Sequence, residues 1–384
     1  MAQRSLHDYK FCYVIKNTSF HKNKSLCFHY ERETIVLFIL KKQITKSKID
    51  MILLREQGEG NMKTLLTNGT IQEIDHYLEE NDDCFGLQEV LPNNYIYNGS
   101  GIRYDIDSEL VKLHSKFQDL LFPDSEYYDT TSYSMPIALY EAGYNSYYCF
   151  SKDGLQKLID KIAPSSPTIY RHLYLADCQF LLSTIQNLAI GLDYSFVSFF
   201  IKLCNLNVET SYYEEDDVLS CSSYDSICLA SLLESYYTKA YSVLDMLTKV
   251  VYELEHFPKN ISHHQKLQSA NIMWGKRKNL RIYNQANTLF YPNDTVRLIE
   301  SIRNEVVHNG SWEQHPKVFL KLKDKCIIER YMLFPDSEGG ILSNLKNRKH
   351  FFGNETRVND VLPKTHMDFL KMLLNTVSYI NKNY

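Results

Sequence analysis

From Tyr224 to Glu255 an apolar side chain recurs at nearly every third or fourth position: Leu229, Leu233, Tyr236, Tyr237, Ala240, Leu244, Leu247, Val251 and Leu254. That period matches the helical turn and predicts one long amphipathic helix. Pro258 ends it, because proline lacks an amide hydrogen and clashes with the preceding turn. A stripe of this length must be covered by other elements, and helices are the natural cover. Tyr170 to Leu203 is a strong candidate, with Leu173, Leu175, Phe180, Leu181, Ile185, Leu188, Ile190, Phe196, Phe199 and Phe200. It predicts one or two buried helices.

Other segments fill in a mostly α chain. Ile71 to Glu80 and Asp107 to Leu121 read as helices, the second stopped by Pro123. Ser151 to Ile162 reads as a helix with Ser151 as its cap. Thr365 to Asn381 carries Leu370, Leu373, Val377 and Ile380 on one face, with Pro363 and Thr365 at its entrance. Ser25 to Leu40 alternates, then becomes continuously apolar, and predicts one or two strands. A length of 384 residues suggests two domains. The acidic run Glu214-Glu215-Asp216-Asp217 and the Ser-rich patch to Ser223 mark the expected boundary. The expected organisation is a mixed α+β, mainly helical domain over 1–213, a linker over 214–223 and a helical domain over 224–384. The hexapeptide Leu-Phe-Pro-Asp-Ser-Glu occurs at Leu121–Glu126 and again at Leu333–Glu338, without matching flanks. It reads as two similar turns after helices, not as a repeat.

Composition narrows the class. No apolar run approaches a membrane span, and Met1-Ala2-Gln3-Arg4-Ser5 is not a secretory signal, so a cytoplasmic location is expected. The nine cysteines are odd in number and lack Cys-x-x-Cys spacing. Free thiols fit better than disulfides or structural zinc, and no metal or cofactor is expected. Net charge is −4, so any nucleic-acid contact has to be a local patch. The 29 tyrosines, including Tyr147-Tyr148 and Tyr236-Tyr237, read first as packing residues.

One short helix carries chemistry. Asn293 and Asp294 are placed to cap it, Thr295 to His308 has helical periodicity, and Asn309-Gly310 supplies a stop. At about 100° per residue, Leu298, Ile299, Ile302 and Val306 form an apolar arc. Arg297, Glu300, Arg303, Asn304, Val307 and His308 fall opposite. Asn304 and His308 are within touching distance. Arg303 lies about 140° around from His308, and both reach one phosphate only through long side chains or across two copies of the helix. A cation, an amide and a titratable imidazole suit phosphate binding and proton transfer. The same Arg and His also suit the negative end of a helix dipole with no further role. Two basic stretches are candidate RNA contacts: Lys276, Arg277, Lys278 and Arg281, flanked by Trp274 and Tyr283, and Lys346, Arg348, Lys349 and His350 before Phe351-Phe352. His256, His263, His264 and His315 are near in sequence.

The motif Arg303-Asn304-x3-His308 resembles that of the HEPN family, whose signature is an Arg, a polar residue, three residues and a His. The order of a long helix, a polar connection, the motif helix and a last helix is also similar, over roughly residues 218–384. The resemblance implies an up-and-down helical bundle and a metal-independent endoribonuclease with Arg303, Asn304 and His308 as catalytic residues. It implies RNA as substrate and a homodimer that builds its site from two facing motifs. It further implies a toxin or antiviral (phage) defence role, with 1–213 sensing a trigger or restraining the nuclease, and leaves open an antitoxin partner. A catalytically inactive HEPN-like module that binds nucleotide, RNA or a protein is the alternative. HEPN toxins silenced by adenylylation carry a Tyr two residues after the His; here Gly310 stands there. Gly99-Ser100 followed by Asp105-Ile106-Asp107 resembles the metal site of minimal nucleotidyltransferases, but only four residues intervene. A turn leading into a helix N-terminus, where Asp105, Asp107 and Glu109 suit the dipole, is the better reading.

Overall fold

The structure is a computed structural model that describes residues 62–74, 86–91, 94–97, 99–147, 149–208, 218–273 and 275–384. The strands expected within Ser25–Leu40, the acidic run Glu214–Asp217 and Trp274 lie outside the described residues. The chain is mostly α, about 56% helical, with eight α-helices and small antiparallel sheets among the described residues.

The first sheet has strand order β2-β1-β3-β4, formed by β1 (Met62–Leu66), β2 (Ile71–Ile74), β3 (Gly86–Leu91) and β4 (Asn94–Tyr97). Strand β2 corrects the helix expected from Ile71. The Ile71/Ile74 spacing fits a helical face, but Asn68-Gly69 reverses the chain immediately before it. Gly69 adopts φ +74, its N–H donates to the Leu66 carbonyl at 3.0 Å, and Thr70 N–H donates to Asn68 Oδ1 at 3.1 Å. An Asn-Gly turn returns the chain antiparallel, pairing Met62 with Ile74 and Leu65 with Ile71. A Cβ at Gly69 would also lie 2.4 Å from the Arg330 carbonyl oxygen, so the position needs glycine twice over.

The helices follow: α1 (Ile102–Leu121), α2 (Ser125–Tyr133), α3 (Ala138–Glu141), α4 (Lys152–Ile162) and α5 (Ile169–Cys204). Gly99 and Gly101 form the turn before α1, which starts at Ile102 and not at the expected Asp107, so that Asp105 lies in its first turn while Asp107 and Glu109 fall beyond it. Ser151 caps α4 by accepting from Gly154 N–H. The apolar stretch after Tyr170 is one unbroken helix. By length and composition α5 is the one described helix able to cross a bilayer. That qualifies the expectation that no apolar run approaches a membrane span. One side is covered by protein, with Tyr174, Leu175, Ile185, Leu192, Phe196, Phe199 and Phe200 each buried, whereas Phe180 and Ile190, expected to be buried, are exposed together with Tyr194.

Strand β5 (Val218–Cys221) then leads into α6 (Tyr224–Glu255), with the bounds that its apolar period anticipates. Helices α5 and α6 lie side by side and antiparallel. Lys202 pairs with Asp225 at 2.7 Å near one end, and Tyr174 donates to Glu253 at 2.6 Å near the other. After two 3₁₀ turns, Gln268–Met273 and Lys276–Asn279, come α7 (Asp294–Asn309), β6 (Val318–Lys323), β7 (Cys326–Tyr331), the short hairpin β8 (Ser337–Glu338) and β9 (Ile341–Leu342), and α8 (Val358–Asn383). The second Leu-Phe-Pro-Asp-Ser-Glu copy therefore follows a strand and enters a hairpin, whereas the first joins α1 to α2.

Helix α8 begins before the expected Thr365, and Pro363 lies inside it. The reason is tertiary. Buried Asn359 donates to the carbonyls of Thr67 and Arg330 and accepts from Met332 N–H. These bonds anchor the extra N-terminal turn and offset the amide hydrogen that Pro363 removes.

One hydrophobic core runs from Leu65 on β1 to Ile380 on α8. Residues on both sides of the expected linker share it. Within that linker, β5 pairs with β6, Leu219 opposite Leu320. Tyr236 and Tyr237 are buried, as a packing role requires, but Tyr147 is 73% exposed. The six described cysteines, Cys149, Cys178, Cys204, Cys221, Cys228 and Cys326, are free thiols.

Candidate functional site

Helix α7 is held in place from both ends. Asn293 accepts from Val296 N–H at 2.9 Å and Gly310, at φ +89, donates to the Val306 carbonyl. Leu298, Ile299 and Ile302 are buried and Val306 is half-buried, so the apolar arc faces the core. Arg297, Glu300, Val307 and His308 are exposed, and Arg303 and Asn304 half-exposed. Glu305, which the helical wheel left unassigned, is buried at the edge of the arc.

Arg303 leans toward α6. Its guanidinium lies over the Tyr241 ring, 4.8 Å from the centroid, and its Nη1 donates to Asn304 Oδ1 at 3.0 Å. Arg277 lies over the same ring at 5.5 Å. It donates through Nε to Thr248 Oγ1 at 3.0 Å and through Nη2 to Asp245 Oδ1 at 2.7 Å. Burial raises the Asp245 carboxyl above its usual range, against the opposing pull of Arg277, Arg303 and Lys249. One basic stretch and the motif therefore meet at a tyrosine and an aspartate one turn apart on α6. Sequence reasoning missed Tyr241 and Asp245. Their only linear signal is the four-residue spacing beside the α6 core stripe.

The remaining candidates divide. His308 is exposed in the last turn of α7, and among the described residues its ring has no hydrogen-bond partner. Asn304 engages Arg303 and makes no hydrogen bond to His308. Lys276 and Lys278 are exposed on the 3₁₀ turn. Arg281 is directed elsewhere, lying over Tyr384 at 4.5 Å and 3.7 Å from Glu255. Arg348 is exposed, while Lys349 pairs with Glu305 of the motif helix itself. Burial works against the Glu305 carboxylate, but hydrogen bonds from Lys349 and Asn309 outweigh it and hold its pKa below the usual range. The second basic stretch is thus tied to the other side of α7. His256 stacks on Tyr252, His263 and His315 are exposed, and His264 lies 3.9 Å from Asp177.

A further titratable group that sequence reasoning missed follows α7. Burial pushes the Glu313 carboxyl up to about 7, with Lys317 opposing. Among the described residues no group of three or more His, Cys, Asp or Glu is placed to hold a metal ion.

Set against protein-family models, curated proteins and solved structures, the chain matches none.

Proposed function

We propose that this protein is a metal-independent endoribonuclease of the HEPN type, acting as a toxin or antiviral defence effector. The observation that carries the reading is the convergence of Arg303 and Arg277 on Tyr241, with an exposed His308, without a hydrogen-bond partner among the described residues, on the same helix as Arg303. RNA brings its own nucleophile, the 2′-hydroxyl. His308 serves as the proton carrier. Arg303 binds the phosphate and offsets charge that develops in the transition state, with Arg277 beside it. Asn304 holds Arg303 through its amide oxygen and keeps its amide hydrogens for a phosphate oxygen. Lys276 and Lys278 extend the cationic surface for RNA. Arg303 and His308 diverge around α7, so the complete site draws on two motif helices in a homodimer.

The test is incubation of purified protein with RNA in EDTA. The expected products carry 2′,3′-cyclic phosphate and 5′-hydroxyl ends. His308→Ala is expected to lose about 10²–10⁴-fold in rate. Equal cleavage by His308→Ala, or activity that needs magnesium, overturns the assignment.

A second reading rests on a specific observation. Arg277 is already paired with Asp245, and Arg303 already stacks on Tyr241 and bonds Asn304. Such fastening suits a non-catalytic HEPN-like module that binds nucleotide, RNA or a protein partner. That module predicts RNA or nucleotide binding without cleavage under the same conditions.

A further inference from the structure

Away from the motif helix, a cleft of about 530 Å³ opens between α3, α4, α5, α6 and the segment from His264 to Ala270. Its volume falls in the usual range for small-molecule sites, roughly 300–1,000 Å³. Leu139, Leu155, Leu173 and Leu181 line it with aliphatic surface. Tyr144 and Phe180 also line it, stacked on one another at 4.2 Å and an interplanar angle of 18°. Each ring covers one face of the other and Phe180 stays 40% exposed, so a ligand body meets aliphatic surface and the open side of this aromatic pair.

The polar groups are few and of one net sign. Lys249, His264 and Lys266 supply cations, and Asp177 is the one carboxylate in the lining. Asp177 is already engaged: it accepts from the Tyr144 hydroxyl and faces His264 Nε2 at 3.9 Å. The Asp177 carboxylate beside it holds the His264 imidazole above its ordinary value, against the cost of burial. Lys249 and Lys266 enter no direct salt bridge among the described residues. The cleft thus joins an apolar floor to two cations that no lining carboxylate neutralises. A neutral apolar ligand would use only the floor, and a small hydrophilic anion only the lysines.

The geometry points to a binding site for a small amphipathic anion, with an apolar body on the leucine floor and a carboxylate, phosphate or sulfonate between Lys249 and Lys266. This assignment is independent of the ribonuclease reading. The two regions are neighbours on α6, since Asp245 feels Lys249 as well as Arg277 and Arg303.

The probe is 8-anilinonaphthalene-1-sulfonate, titrated into the full chain and followed by fluorescence, with stoichiometry from equilibrium dialysis. Saturable, blue-shifted binding of one probe per chain is expected, with decanoate competing. Lys249→Ala with Lys266→Ala is expected to weaken binding about tenfold or more, as is replacing the probe by uncharged N-phenyl-1-naphthylamine. Ala270→Trp, at an exposed lining position, is expected to block the cleft. Lys266→Glu provides a second surface variant if the tryptophan impairs folding, which circular dichroism reports. Non-saturable binding, or binding unchanged in all these variants, overturns the site. Equal affinity for the charged and uncharged probes overturns the anion assignment.

Discussion

Two clusters in this molecule use the same residue types and differ in almost everything else. In the core, His366 is 0% exposed. Its Nε2 lies 2.8 Å from the Tyr97 hydroxyl and 3.3 Å from Asp193, and its Nδ1 lies 3.2 Å from the Tyr236 hydroxyl. Phe196 stacks on the ring at 4.2 Å, and Arg103 closes the cluster by pairing with Asp193 at 2.9 Å. Burial works against the Asp193 carboxylate, but His366 and Arg103 outweigh it and hold its pKa below the usual range. Nearer the surface, Tyr241, Asp245, Arg277 and Arg303 repeat much of the inventory, and the imidazole on the same motif helix, His308, stands exposed outside their contacts. A histidine with both nitrogens occupied and no exposure to solvent specifies how β4, α1, α5, α6 and α8 meet. A histidine with neither occupied is available to a ligand. Residue identity does not distinguish these roles; burial and partner count do.

Stability measurements sharpen this contrast. The largest effect is expected from His366→Ala, which opens a cavity and strips partners from Tyr97, Tyr236 and Asp193. A loss of about 3–5 kcal/mol in denaturant unfolding is expected. A loss below about 1 kcal/mol would place the core cluster with the surface one.

Ile302→Ala, on the buried face of α7, should cost about 2–5 kcal/mol. It provides the reference against which the polar face of the same helix is read. A thermal melt matching wild type would mean that α7 is not docked through its apolar arc.

Glu313 gives an intermediate case with a pH signature. Its folded pKa, about 7, lies above its ordinary 4.5, so the folded state holds the proton more tightly than the unfolded chain. Its contribution to stability is fully present below about pH 4.5 and is lost as pH rises through about 7. Glu313→Gln is therefore expected to raise stability by roughly 1–3 kcal/mol at pH 8 relative to wild type, and to change it little at pH 4.5. Melting curves of both proteins at the two pH values check this; a pH-independent difference would contradict a half-buried carboxyl with a raised pKa.

The smallest effect is expected from His308→Ala, within about 1 kcal/mol, since the ring is exposed and has no hydrogen-bond partner among the described residues. If His308→Ala melts as badly as Ile302→Ala, the surface cluster is structural and its comparison with His366 collapses.

Several features were open to reading in one dimension because their causes are local. The Tyr224–Glu255 helix follows from its period, and the α7 caps follow from Asn293 and Gly310. Ser151 marks the start of α4 in the same way. The β1–β2 hairpin was also written locally, in Asn68-Gly69, but the apolar spacing after it competed with the turn. The early start of α8 was not, since Asn359 is held by carbonyls of two distant segments, Thr67 in the β1–β2 turn and Arg330 on β7.

The candidate site divides along the same line. Sequence alone determined that Arg303, Asn304 and His308 share the non-core side of a short capped helix, because helical geometry links near neighbours. Only the tertiary structure decided that Arg277 joins Arg303 over Tyr241, that Lys349 is drawn to Glu305, and that Arg281 turns away to Tyr384. It also decided that His366 is sealed within the core while His308 is exposed. Those outcomes depend on through-space distances and on access to water, and neither is a property of a residue's position in the chain.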